Sequence, residues 1–204
     1  LLSCTTSVQQ TRDESLYPPE DTRPLPSAPE ALPPAPGELF AEDLAAPQAM
    51  ALMADELWVT ETQGGRLVAI QTASRELRVV ASDLGSPWAL AAAGDAAVVS
   101  DVSAGRILRV ADDGTINTLA SGQSQPKHLR VRGSDVYWLN EGEADGGSWK
   151  GGSLFRAKLD GSEAPEELAT NLQKPRCLSL VDQQLYFLIA GPPAELVRLP
   201  LSGG

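Results

Sequence analysis

The 204-residue sequence has one histidine, His128, and two cysteines, Cys4 and Cys177. A single imidazole excludes a His-rich metal centre within one chain and leaves one position for the usual acid or base of neutral-pH chemistry. A Cys-x-x-Cys pair, a Gly-x-Ser-x-Gly elbow, a Walker loop and a His-Glu-x-x-His signature are all missing. No run approaches the 18 or so apolar residues of a membrane-spanning helix, and no heptad pattern is sustained. Positive charge is also scarce. Sixteen Lys and Arg against 27 Asp and Glu give a formal charge of −11. Such a surface repels polyanions, so nucleic acid and bare anionic membranes are excluded as partners.

What is plentiful is punctuation: 18 glycines and 16 prolines beside 42% hydrophobic residues. That mixture supports one sizeable core but few long helices. Eight of the prolines fall between Pro18 and Pro36, in a stretch otherwise polar. Residues 1–37 cannot bury enough apolar surface to offset their ordering entropy, and they are expected to be a disordered tether. At its start stands "LLSC". With Leu1 three residues before Cys4 and Ser3 just before it, the stretch resembles the lipobox of bacterial lipoproteins. The resemblance implies a lipidated Cys4, and a protein held at the bacterial outer membrane, cell surface or periplasm through that anchor. A disulfide between this tail and Cys177, inside a patterned segment, is not expected.

From residue 38 onward the sequence repeats. Pro47, Pro87, Pro126 and Pro175 each open a unit. Ten to thirteen residues after each proline come "LWVT", "AVVS", "VYWL" and "LYFL", then the alternating runs "GRLVAI", "GRILRV", "GSLFRA" and "AELVRL". All are branched or aromatic β-type segments. Arg109, Arg156 and Arg198 share one repeat position, and Gly114, Gly161 and Gly203 share another. An alanine stands six residues before every repeat proline: Ala41, Ala81, Ala120 and Ala169. Units of about 40 residues with four strands each are the blades of a β-propeller.

The combination of Pro, apolar strand, Tyr-Trp strand and Gly-led strand with a basic residue resembles the NHL and YWTD propeller repeats. It is similar to the "VYW…GSLFRAKLDG…LAT" repeats of bacterial surface proteins. The fold expected is therefore all-β: a propeller of four-stranded blades over residues 38–204. Gly203 falls after the third strand of the fourth unit, while "LFAEDL" (39–44) is a spare outer strand. Antiparallel pairing of 39–44 with Leu196 to Leu199 would close a ring of four blades; the alternative is a fragment of a longer ring.

Within the repeat, "PKHLRVRGSDVYWLN" reads as one copy rather than a catalytic or nucleic-acid site. His128 takes the position of Ala49, Ala89 and Cys177 on the innermost strand, as a channel-lining or hydrogen-bonded core residue; the alternative is a ligand or general base. Tyr137 and Trp138 are blade packing, and Cys177 is expected to be a small buried thiol. One face gathers Gln48, Trp88, Lys127 and Arg176, each just after its proline, with Glu61, Asp101 and Asn140 at the second-strand ends. The insertion "NEGEADGGSWKG" (140–151), carrying Trp149, joins the same face.

Loops on a rigid scaffold commonly carry binding, so a monomeric module taking a protein or glycan-like ligand at this face is expected. Inside the insertion, Glu141, Glu143 and Asp145 alternate as a short calcium loop would. The twelfth residue from Glu141 is Gly152, so the closing glutamate is missing and an ordinary acidic loop is the preferred reading. Some propellers are metal-dependent sugar-lactone hydrolases or lyases that hold a metal with carboxylates and an Asn. Glu61, Asp101 and Asn140 could imitate that set, so such an enzyme is the alternative function.

The lipobox reading is checked by fractionation. In a bacterial host expressing a full leader, Cys4→Ser moves the protein from the membrane to the soluble fraction, because the acyl chains supply the anchoring. Equal fractionation of parent and variant counts against lipidation.

Overall fold

The computed structural model describes residues 37–203 except Gly147. Cys4 and the Pro-rich segment to Pro36 lie outside the described residues. The chain divides into a unit Leu1–Leu39 and a unit Phe40–Gly204, and the second holds all the strands described. No helix occurs among the described residues.

The first blade comprises β1 (Pro47–Met53), β2 (Glu56–Glu61), β3 (Arg66–Gln71) and β4 (Leu77–Ala81), paired in sequence order. The second repeats it with β5 (Pro87–Ala93), β6 (Ala96–Asp101), β7 (Arg106–Ala111) and β8 (Ile116–Ala120). In the third, β9 (Pro126–Arg132) and β10 (Asp135–Asn140) are followed by a two-stranded ribbon, β11 (Glu143–Asp145) and β12 (Ser148–Lys150). The sheet then resumes with β13 (Gly152–Lys158) and β14 (Glu166–Leu172). The fourth has β15 (Pro175–Val181), β16 (Gln184–Ile189) and β17 (Glu195–Pro200). All neighbours pair antiparallel, as short hairpin connections require.

Each repeat proline is the first residue of its inner strand, where a missing N–H costs no ladder bond. The residue before it accepts a backbone hydrogen bond from just beyond the second strand: Thr62 to Ala46, Val102 to Ser86, Glu141 to Gln125 and Ala190 to Lys174. The first strands lie side by side, β1 by β5, β5 by β9 and β9 by β15, and so form the inner wall of the array.

Blade faces bury one another. Trp58, Leu67 and Ala69 of the first blade meet Ala97, Val99 and Leu108 of the second. Val98 and Ile107 meet Leu129, Val136 and Trp138; Tyr137, Leu139 and Leu154 meet Leu178, Leu185 and Phe187. Trp138 is fully buried and stacks on Phe155 at 5.5 Å between ring centroids. The repeat alanines Ala81, Ala120 and Ala169 sit in these three cores in turn. Gly114 turns at φ +83° against the preceding blade, and a Cβ there would lie 2.7 Å from the Val80 carbonyl oxygen. A side chain at Gly114 would force the first and second blades apart.

Ring closure by residues 39–44 is not formed. They adopt no strand, and β17 has no partner beyond β16 among the described residues. Instead Phe40, Ala41 and Leu44 pack on Val59, Val68 and Ile70, the face of the first blade turned away from the second. Ala41 thus does for the first blade what Ala81 does for the second. Apolar burial on that face is satisfied by side-chain contact alone, and the backbone pairing does not follow. No apolar core joins the fourth blade to the first among the described residues.

Phe40 also carries Arg75 over its ring at 5.5 Å. Phe40→Ala should cost about 1–2 kcal/mol of the half-buried ring's transfer energy, lowering the melting temperature by roughly 2–8 °C. A calorimetric scan checks it; an unchanged melting temperature would mean the segment does not cover the first blade in solution.

Candidate functional site

The pairing of Pro47 with Glu61, Pro87 with Asp101 and Pro126 with Asn140 puts inner-strand starts and second-strand ends at one end of the sheets. The residues singled out by the repeat therefore share one face, but they divide into two groups.

The first group serves the fold. Glu61 and Asp101 are wholly buried. Glu61 Oε1 accepts from the Ala45 amide at 2.9 Å, and Oε2 accepts from Arg66 Nε at 2.7 Å. Asp101 Oδ1 accepts from the amides of Ser86 and Ala104, and Oδ2 from Arg106 at 2.6 Å. Each carboxylate ties the chain entering a blade to the hairpin between its second and third strands. Asn140 substitutes for them in the third blade, donating to Gln123 Oε1 at 2.9 Å and Ser153 Oγ at 3.1 Å. Its own Oδ1 is buried without a partner among the described residues.

The second group forms a row. Lys127 Nζ lies 4.7 Å from the centroid of the Trp88 ring, close enough for a cation–π contact. Lys127 also donates to Glu141, whose other oxygen accepts from Arg176 at 3.0 Å. Trp88, Lys127, Glu141 and Arg176 therefore run across the second, third and fourth blades. Gln48, at the same station of the first blade, is exposed. Glu141 is 3% exposed. Burial pushes its carboxyl pKa up, but the hydrogen bonds and charges of Lys127 and Arg176 outweigh that and hold it below the ordinary value. Sequence reasoning placed Glu141 only in a calcium loop. Its position directly after Asn140, on the face already holding Lys127 and Arg176, was the signal available.

The insertion is a ribbon rather than a metal-binding turn. Glu143 pairs with Lys150 along the ribbon, Asp145 makes an ion pair with Lys150, and Glu141 is committed to its two cations. Among the described residues no cluster of three His, Cys, Asp or Glu side chains could hold a metal ion. Trp149 is partly exposed, with Lys174 Nζ 4.4 Å from its ring centroid.

His128 and Cys177 occupy a bulge common to the inner strands. In the first two blades a hydroxyl answers the bulge amide: Thr60 Oγ1 accepts from Ala49 and Ser100 Oγ from Ala89, both at 3.0 Å. Leu139 and Leu188 hold that position in the later blades. There the bulge residues turn left-handed, both at φ +55°. Cys177 is consequently exposed, not buried as the repeat register suggested: the bulge breaks the alternation that would have turned its thiol into the core. His128 is half-buried. Burial lowers its pKa, Glu141 opposes this, and Lys127, Arg176 and Arg130 lower it further.

No protein-family model matches the chain, and no curated protein matches it. Among solved structures it is similar to a chain of a nidogen/laminin complex, at TM-score 0.63 and 20% identity over 74% of this chain and 60% of that one. It is similar to a gluconolactonase from Xanthomonas campestris, at 0.63 and 17% over 79% and 60%. It is also similar to virginiamycin B lyase from Staphylococcus aureus, at 0.63 and 18% over 81% and 56%. The chain spans about three fifths of the length of these structures. The likenesses show a β-propeller fold.

The depressed His128 pKa means that its neutral form is favoured on folding. Its contribution to stability is present above the unfolded value of 6.5 and is lost as pH falls through the lower folded value. His128→Asn, which tolerates the left-handed backbone, should lose less stability than the parent between about pH 7 and about pH 5. Urea titrations at the two pH values measure this, and equal losses would place His128 in free solvent.

Proposed function

We propose that this chain is a β-propeller binding module of a bacterial cell envelope, held there through a lipidated Cys4. Its ligand, a protein or a glycan-like molecule, docks on the face carrying Trp88, Lys127, Arg176 and the 140–151 insertion. One observation carries the reading. The station after the strand-opening proline, which the fold fills with nothing more specific than Gln48 in the first blade, becomes a contiguous aromatic and cationic row across the next three. Partly exposed aromatics beside charged groups on a rigid scaffold are the usual anchors of recognition surfaces. Trp149 on its ribbon adds a second such anchor.

The fold neighbours include two enzymes and a chain of a protein–protein complex, so the fold does not choose between catalysis and binding. The site residues favour binding. A lactonase-like metal would need oxygens from Glu61, Asp101 and Asn140. Both carboxylates already spend theirs on backbone amides and arginines inside the blades, and this donor set does not fit a metal.

Trp88→Ala with Trp149→Ala should weaken co-sedimentation with bacterial envelope material about tenfold or more, while the melting temperature stays within a few degrees of the parent. A large fall in melting temperature would instead make the two rings part of the core. Unchanged co-sedimentation with intact folding would remove this face as the binding site.

A further inference from the structure

The inner strands are not equivalent. One, two and four residues after the strand-opening proline stand Gln48, Ala49 and Ala51 in the first blade and Trp88, Ala89 and Ala91 in the second. The third has Lys127, His128 and Arg130, and the fourth has Arg176, Cys177 and Ser179. Alanine meets what the fold requires at the fourth station of the first two blades, so Arg130 is not there for packing. The cations also outnumber what the fold consumes. Lys127, Arg130 and Arg176 all act electrostatically on His128, and the one carboxylate among them, Glu141, is spent on Lys127 and Arg176 and closed to solvent. Arg176 keeps 46% of its side chain exposed, and Arg130 is exposed. A chain with a formal charge of −11 thus concentrates unneutralised positive charge on adjoining inner strands. Extended polyanions are repelled by the whole molecule, while a small anion is drawn to this one place.

We infer that the ligand of this face is an anionic saccharide, a sugar ring bearing a carboxylate or phosphate, with the negative group among Lys127, Arg130 and Arg176 and the ring against Trp88. The inference rests on the binding-module reading above and names its ligand class. The ring is called for by the geometry. Lys127 stands 4.7 Å from the Trp88 centroid, so a ligand touching both carries its charge within a few bonds of a flat apolar face. A sugar acid or sugar phosphate does. An acidic peptide would use the cations and leave the indole idle. Glu141 is a positioning residue: by accepting from cations of two blades it holds them side by side. His128 lies among the same groups, and a bound anion favours its protonated form, so affinity rises as pH falls.

The test uses the full chain and four probes: digalacturonate, glucose 6-phosphate, neutral maltose and triglutamate, titrated by calorimetry. Digalacturonate or glucose 6-phosphate should bind at least about tenfold more tightly than maltose or triglutamate, and the better of the two identifies carboxylate or phosphate as the charged group. Added salt should weaken the binding. Arg130→Gln, which leaves the Glu141 ion pairs intact, should cost about tenfold with an unchanged melting temperature. The parent should bind digalacturonate, whose carboxylates stay ionised over this range, more tightly at about pH 5.5 than at about pH 7.5, and His128→Asn should flatten that dependence. If maltose matches the sugar anions, or none of the probes binds while envelope material still does, the anionic-saccharide inference falls and the binding-module reading stands. If triglutamate matches digalacturonate, the sugar is wrong and an acidic peptide is the ligand. Loss of envelope binding in every form of the chain would instead bring down the binding-module reading itself.

Discussion

A four-stranded antiparallel sheet of about 25 residues has two faces and buries neither by itself. The whole arrangement depends on each blade covering the next. That requirement explains why Val98 and Val99, adjacent in one strand, are both fully buried although they point to opposite sides: one meets the third blade and the other the first. It also explains the constancy of the small residues. An alanine in each of the outer strands β4, β8 and β14 lies in the core between blades, and Gly114, in the turn before β8, lets the second blade approach the first, where an added Cβ would lie 2.7 Å from the Val80 carbonyl oxygen. Phe40, Ala41 and Leu44 obey the same need at the first blade without joining any sheet. Face burial and strand pairing are therefore separable requirements in this fold.

Polar groups at the entry end follow a second rule. A chain entering a blade exposes amides that no strand ladder satisfies, and such groups must be answered when buried. Glu61 and Asp101 answer them with carboxylates neutralised by Arg66 and Arg106, whereas Asn140 in the third blade donates instead, to Gln123 of the entering chain and to Ser153. Freed of that duty, the acidic residue of the third blade moves one place along, to Glu141, and gathers Lys127 and Arg176 from two different blades. Where the repeat needs a carboxylate, it is buried and inert. Where the first blade carries only Gln48, Ala49 and Ala51, the later blades place Trp88, Lys127, His128, Arg130 and Arg176. That departure from the repeat, rather than residue type alone, separates the proposed recognition surface from the groups that hold the blades.

The sequence by itself determined the propeller class, the blade boundaries and the shared face. Each is encoded by local features with a fixed period: a proline that opens an inner strand, two-residue alternation, and small residues at the contact stations. It also grouped Lys127, Arg176 and Trp88, because equal spacing from the repeat proline means equal height on the array. Only the tertiary structure decided what those groups touch. The commitment of Glu141 to two blades, the burial of Glu61 and Asp101, and the exposure of Cys177 depend on side-chain direction at bulges and turns, where alternation fails. The course of residues 39–44 was also beyond the pattern. Its alanine-to-proline spacing records that the segment packs as an outer strand does, and periodicity of side chains carries no information on whether the backbone finds a partner to pair with.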